Sequence, residues 1–261
     1  MKMKSYLIKT DHEVNLIRKA CEISSQLHTL AMKEDLSFTS EQQLAKMLDQ
    51  YKQNFGNTSW AYPIIIGSGQ RATQLHAKPT SKKIKKSELM LIDMGVRYQG
   101  FCSDVTRTWP VDHRFTKEQR DIYKIVLSTQ KEIINKIRPY ETLESLHHYC
   151  KESLLDKLLS KKIIKKSDIN EIYPHKTSHW IGRKVHDECP YYYQDNSPIQ
   201  LSPGMVFTVE PGLYFKKINS IYTHIGVRIE DVILVTKNGS EVLTNLPKEI
   251  DEIEYLRSQI K

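Results

Sequence analysis

The stretch Leu89-Met90-Leu91-Ile92-Asp93-Met94-Gly95-Val96-Arg97-Tyr98-Gln99-Gly100-Phe101-Cys102-Ser103-Asp104-Val105-Thr106-Arg107-Thr108 carries the argument for the fold. Its two apolar runs, rich in branched and aromatic side chains and bounded by Gly and charge, read as strands. The turn-length Arg97-Tyr98-Gln99-Gly100 between them makes the pair an antiparallel hairpin. Each run holds an acid where a core residue belongs, Asp93 in the first and Asp104 in the second. Burying a lone carboxylate is expensive, so a hairpin that brings two acids to one point needs a compensating cation.

Upstream, Ile64-Ile65-Ile66-Gly67 reads as a further strand, and two helices precede it. The first opens on the capping box Thr10-Asp11-His12-Glu13 and repeats Leu16, Ala20, Ile23, Leu27 and Leu30 at helical steps. The second starts from Ser40, buries Leu44, Met47, Leu48 and Tyr51, and stops near Gly56. Downstream, a second capping box at Thr116-Lys117-Glu118-Gln119 starts a helix that buries Ile122, Ile125, Val126, Ile133 and Ile137 and ends before Pro139. Another helix covers Leu143 to Leu159. Strands return at Met205 to Glu210 and at His224 to Thr236, and Ile250, Ile253, Leu256 and Ile260 mark a closing helix. The order helices, strands, helices, strands, helix is that of two αβ halves in tandem, an α/β (α+β) chain. With no Gly/Ser linker in its 261 residues, it is expected to form a single domain over 1–261.

Composition excludes several classes. At 39% hydrophobic and 27% charged residues the chain has the apolar mass for a sizeable core, which rules out disorder. No run approaches the roughly 20 apolar residues of a membrane span. The opening Met-Lys-Met-Lys-Ser-Tyr leads into charge with no apolar signal core, so a cytoplasmic protein is expected. The net charge of +8 lies partly in Lys82-Lys83-Ile84-Lys85-Lys86 and Lys161-Lys162-Ile163-Ile164-Lys165-Lys166. Neither run carries Arg or interleaved aromatics, so they read as solvated faces and nucleic acid is not an expected partner. Cys21, Cys102, Cys150 and Cys189 have no short paired spacing and read as reduced thiols.

Two more acids repeat the anomaly of the hairpin: Glu210 closes Met205-Val206-Phe207-Thr208-Val209-Glu210, and Glu230 follows Ile225-Gly226-Val227-Arg228-Ile229. Arg107 and Arg228 are enough to pair with one or two of the four, giving buried ion pairs. The segment Ser178-His179-Trp180-Ile181-Gly182-Arg183-Lys184-Val185-His186-Asp187 adds two histidines seven residues apart. Carboxylates joined by an imidazole make a bridged dinuclear site suited to Mn²⁺, with Co²⁺, Fe²⁺ or Zn²⁺ as other occupants. Arg228 shares a strand face with Glu230, and Thr106 stands likewise to Asp104, so each is placed to steady a ligand.

The set Leu75-His76, Ile92-Asp93-Met94-Gly95, Ser103-Asp104-Val105-Thr106-Arg107-Thr108, Ser178-His179-Trp180-Ile181-Gly182, Val185-His186-Asp187, Thr208-Val209-Glu210-Pro211-Gly212 and Arg228-Ile229-Glu230-Asp231 resembles the catalytic domain of an Xaa-Pro aminopeptidase. The resemblance covers nearly the whole chain. It implies the pita-bread fold, two αβ halves around a central curved antiparallel sheet, and a pair of divalent metal ions held by Asp93, Asp104, His179, Glu210 and Glu230. In that family a hydroxide between the metals attacks the scissile carbonyl, with Glu210 here as the proton acceptor. The resemblance implies that His76 and His186 lie at the scissile peptide and that His175, Arg228 and Tyr214 contact substrate. The substrate would be a peptide with penultimate proline, and a homodimer is the default assembly.

Three features depart from the family. The additional amino-terminal domain of its larger members is expected to be absent here. Lys176 stands where Gly usually follows the first His, and Glu188-Cys189-Pro190 departs from the usual continuation. Gly182-Arg183 and His186-Asp187-Glu188-Cys189-Pro190 lean towards methionine aminopeptidases, whereas Asp187 and Glu230-Asp231 favour the Xaa-Pro type. A non-catalytic binding protein on the same fold is the other alternative.

Overall fold

The computed structural model describes residues 4–217 and 220–260. The opening Met1 to Met3, part of the stretch read for an export signal, lies outside them. Its helices are α1 (Lys4–Leu7), α2 (Asp11–Lys33), α3 (Glu41–Gln53), α4 (Lys117–Lys136), α5 (Leu143–Ser160), α6 (Ile169–Ile172) and α7 (Ile250–Ser258). Its strands are β1 (Thr58–Trp60), β2 (Ile65–Ser68), β3 (Leu89–Asp93), β4 (Val96–Tyr98), β5 (Phe101–Cys102), β6 (Thr106–Pro110), β7 (Val206–Val209), β8 (Gly212–Tyr214), β9 (Gly226–Arg228), β10 (Asp231–Val235) and β11 (Ser240–Val242). Among the described residues no helix is long and apolar enough to cross a membrane.

The capping boxes form as the sequence requires. Thr10, Ser40 and Thr116 each accept the N3 backbone N–H while the N3 side chain accepts from the cap. The face that α2 buries runs through Val14, Ile17, Ala20, Ile23 and Leu27, with Leu16 at its margin and Leu30 outside it. Neighbouring buried Ser24, Ser25 and His28 show why: the covered stripe is rotated towards polar partners in the strands.

The hairpin is present but divided. Strand β3 pairs antiparallel with β6 and β4 with β5, and the sheet breaks between them at Met94-Gly95 and Ser103-Asp104-Val105. Arg97 and Tyr98 belong to a strand, leaving Gln99 and Gly100, both at positive φ, as the turn. At the break the two chains approach so closely that a Cβ on Gly95 would stand 1.9 Å from Ser103 O. The second half breaks likewise: β9 and β10 are separated by Ile229-Glu230, so the expected strand from His224 to Thr236 is two short ones.

Central strands β3, β6, β7 and β9 are buried along their whole length. Helix α2 packs on β4 and β5, and α4 packs on β7, β8 and β9. The halves meet where Glu230 N donates to Thr106 O and Arg228 N to Thr108 Oγ1, Thr108 Oγ1 in turn donating to Arg228 O.

Candidate metal centre

Each break in the sheets delivers an acid. Asp93 ends β3, Asp104 lies in the link between β5 and β6, Glu210 follows β7, and Glu230 lies between β9 and β10. Asp104, Glu210 and Glu230 lie outside the strand ladders, and the first of them is joined to Asp93 through Tyr62. His179 joins them from the loop that follows α6.

The donors converge. Oxygens of Asp104 and Glu230 and a ring nitrogen of His179 all lie within 4.8 Å of one another. His179 Nε2 is 3.3 Å from Asp104 Oδ2 and 3.4 Å from Glu210 Oε1. Its Nδ1 donates to Trp180 O at 3.2 Å, which fixes the tautomer with Nε2 free for a metal. The Tyr62 hydroxyl joins Asp93 Oδ1, at 2.5 Å, to Asp104 Oδ1. Glu230 Oε2 accepts from Thr106 Oγ1 at 2.7 Å, and Thr208 Oγ1 donates to Glu210 Oε1 at 3.2 Å.

Charge balance tests whether these residues fit a cation. Burial, opposed by Arg228, raises the Asp93 carboxyl to about 6. Burial likewise raises Glu210 to about 7, against the pull of His179 and Arg228. Glu230 is pushed well above the ordinary carboxylate range by burial and then by the charges of Asp104, Glu210 and Asp93. Burial opposes a charge on His179, yet the Asp104 hydrogen bond and the Glu210 and Asp104 charges outweigh it and lift the ring to about 9. Among the described residues only one guanidinium, Arg228, makes an ion pair with any of the four acids, and it reaches Asp93 alone, at 2.7 Å. Four buried carboxylates and one imidazole with so little protein countercharge fit divalent ions of the Mn²⁺ class, which favour hard oxygens and tolerate nitrogen.

The remaining expected residues surround this floor. A cavity of about 900 Å³ rises from it, with His76 and His186 on its wall. The His186 ring stands edge-on to His179, centroids 4.2 Å apart. His175 Nδ1 lies 3.8 Å from Glu210 Oε2. That nitrogen donates to Lys176 O at 2.8 Å, and Nε2 accepts from Tyr214 OH at 2.9 Å. Burial lowers His175 to about 3, so the ring is neutral and the network sets its tautomer.

Tyr214, expected to contact substrate, stands behind the wall instead. Its hydroxyl accepts from Arg228 NH1 at 2.9 Å while holding His175. Arg228 borders the cavity but spends its donors on protein: Nε on Thr106 Oγ1, NH1 on Tyr214, and NH2 on Asp93 Oδ2 and Leu75 O. A buried guanidinium with four of its five donors on protein acceptors is placed to orient a ligand.

Three supporting groups carry no sequence signal. Tyr62 lies in a connection and earns its place only through Asp93 and Asp104, 31 and 42 residues away. Glu41, fully buried at the start of α3, accepts from Ser68 N and Oγ, Arg71 Nε, and Thr80 N and Oγ1, fastening both ends of the loop that carries His76. His147 on α5 reaches the cavity wall and shares Thr177 Oγ1 at 2.9 Å. The loop of His186 is tied down by Lys9, whose Nζ lies 2.9 Å from Asp187 Oδ2. Gly182 leaves room for that pair, since a Cβ there would stand 2.3 Å from Asp187 Oδ2.

The sequence pattern of metallopeptidase family M24 matches residues 15–237. The chain is 35% identical over 263 residues to an Xaa-Pro aminopeptidase of Escherichia coli, covering 96% of this chain and 59% of that protein. It is 34% identical over 244 residues to an Xaa-Pro dipeptidase of Pyrococcus horikoshii, covering 94% and 64% respectively. The fold superposes on the structure of Pseudomonas aeruginosa aminopeptidase PepP with a TM-score of 0.93 at 34% identity, over 97% of this chain and 60% of that one. The architecture is the expected pita-bread arrangement. The chain spans between about half and two-thirds of the length of these relatives.

Proposed function

The chain belongs to metallopeptidase family M24, and from that premise we propose that it is a dinuclear metal-dependent aminopeptidase that removes the first residue of peptides, preferentially when proline follows. The observation that carries this reading is the convergence of Asp93, Asp104, His179, Glu210 and Glu230 at the floor of an open cavity with His76 and His186 on its wall. Two bound divalent ions, Mn²⁺ first among the candidates, supply a water acidified towards neutrality and a Lewis acid for the peptide carbonyl.

The chain's own residues do the rest. Asp93, Asp104, His179, Glu210 and Glu230 hold the ions, with Tyr62, Thr106 and Arg228 fixing the carboxylates. Glu210 accepts the proton of the attacking water and returns it to the leaving nitrogen, a task suited to a carboxylate held by Thr208 and close to His179. His76 and His186 donate to the carbonyl oxygen as it becomes an oxyanion, or to the leaving group. His175, kept neutral, borders the downstream side of the bound peptide.

The cavity extends from the acids to Leu143, Glu144, Tyr191 and Tyr192, more space than a dipeptide fills, which supports cleavage of longer peptides over a strict dipeptidase. The deciding experiment gives metal-stripped protein Ala-Pro, Ala-Pro-Ala and Met-Ala-Ser, with and without Mn²⁺. Release of alanine from Ala-Pro-Ala only when metal is added is the expected outcome. Cleavage of Ala-Pro alone makes the protein a dipeptidase, cleavage of Met-Ala-Ser moves it to the methionine class, and inertness towards all three removes the enzymatic reading.

A further inference from the structure

Among the described residues, Lys176 and Arg228 are the only Lys or Arg residues that line the cavity. Arg228 is buried and consumed by Asp93, Tyr214, Thr106 and Leu75. Lys176 is exposed, and among the described residues no carboxylate lies within ion-pair range of it. Glu144, in the first turn of α5, borders the same space without reaching it. The other acid on this side, Glu188, is engaged by Lys184 at 2.5 Å. An ammonium without a carboxylate partner among the described residues therefore borders the cavity.

His147 stands beside it. Burial and then the charge of Lys176 lower the His147 ring to about 4, so it is neutral at ordinary pH. Its Nδ1 is taken by Thr177 Oγ1, which leaves Nε2 as the nitrogen open to a ligand. Spacing gives the third constraint. His175 lies 3.8 Å from Glu210, and Lys176 is the next residue along the chain. In an extended peptide the carboxylate of the third residue lies two residues beyond the first carbonyl, at most about 7 Å. A flexible lysine one residue past His175 spans the remainder.

We infer that Lys176, with His147 beside it, forms a subsite for the free carboxylate of a tripeptide, so that this chain selects short peptides by their carboxyl terminus. The inference rests on the aminopeptidase reading for its register and on Lys176 for its chemistry. The ammonium draws the peptide's carboxylate to its own side of the cavity, away from the residues that hold the ions, and this sets the direction of binding.

The test compares the Mn²⁺-loaded enzyme on Ala-Pro-Ala, Ala-Pro-Ala-NH2 and Ala-Pro-Glu-NH2. The expected KM for the free acid is about 5-fold below that for the amide, the size of one solvent-accessible charge pair. Lys176→Gln brings that ratio to about 1, Lys176→Arg keeps it, and Lys161→Gln, on the distant lysine run, leaves it alone. A ratio of 1 in the unaltered enzyme, or a ratio unmoved by Lys176→Gln, overturns the inference. If Ala-Pro-Glu-NH2 matches the free acid, the subsite reads a side-chain carboxylate and the terminal assignment fails. Should no peptide be cleaved, the aminopeptidase reading falls by itself, and calorimetry of Pro-Ala against Pro-Ala-NH2 still decides the subsite. Tighter binding of the acid that depends on Lys176 sustains it, and equal binding refutes it.

Discussion

Replacing Asp231 by Asn isolates the support beneath Glu230. The Asp231 side chain is fully buried and meets four donors: Arg107 NH2 and Thr244 Oγ1 on Oδ1, each at 2.6 Å, and Lys248 Nζ at 2.6 Å and Gln130 Nε2 at 3.0 Å on Oδ2. An amide keeps one acceptor but turns an NH2 towards donors, and it leaves the equally buried Arg107 without countercharge. Removing one partner of a buried pair costs about 3–5 kcal/mol. At about 2.1 cal/mol/K per residue, the unfolding entropy of 261 residues is about 0.55 kcal/mol/K, so Tm should fall by about 5–9 °C at pH 7. The pH dependence has a definite sign. Burial alone would raise the Asp231 carboxyl, but Arg107 and Lys248 overcome it and hold the group far below the usual carboxylate range. A depressed folded value gives stability that is fully present above about pH 4 and is lost progressively as pH falls from there towards the folded value, so the gap between the two proteins should be smaller at pH 3 than at pH 7. Thermal unfolding by circular dichroism at pH 7 and pH 3 reads both numbers. A loss under 2 °C at pH 7 would refute the claim that this pair anchors the link between β9 and β10 that carries Glu230.

Three other outcomes are expected. Tyr62→Phe removes the hydroxyl shared by Asp93 and Asp104 and should weaken Mn²⁺ binding about 10-fold in a calorimetric titration, an unchanged affinity excluding its role. Metal-stripped protein should lose stability as pH rises from 5 to 9: Asp93, Glu210 and His179, lifted to about 6, 7 and 9, hold protons in the folded state that the unfolded chain has released. Added Mn²⁺ should therefore raise Tm more at pH 8.5 than at pH 5.5, and an equal rise at both would contradict the clustering of those groups. Glu41→Gln should loosen the loop that carries His76, seen as faster amide exchange over residues 69–80 and a drop of roughly 10-fold in kcat/KM, with unaltered exchange counting against it.

The acids were legible because a carboxylate inside Leu91-Ile92-Asp93-Met94 contradicts its surroundings, and that contradiction needs no partner to be seen. Helix starts were equally plain, since a capping box is complete within four residues. What stayed hidden depends on distance along the chain. The hairpin's division at Gly95 follows from a close approach to Ser103, and the exposure of Leu30 from how α2 settles on strands some 70 residues later. Tyr62 and Glu41 look ordinary in their own neighbourhoods and act only on loops and acids brought to them by the fold. The resemblance implies a substrate contact for Tyr214, whereas its hydroxyl is taken by Arg228 and His175, both of which line the cavity that Tyr214 does not.

The contacts that shape the centre also join segments far apart: Arg228 to Asp93 across 135 positions, Thr106 to Glu230 and Arg107 to Asp231 across 124 each. Closing such loops is paid late in folding, after the local helices have formed. Metal affinity is consequently a readout of completed topology: a nascent chain that has not yet emitted Glu230 lacks the second half of the grip. A chain cut in the exposed turn at Asp195-Asn196 should, for the same reason, remain one particle, its two pieces clasped through the residues that hold the ions.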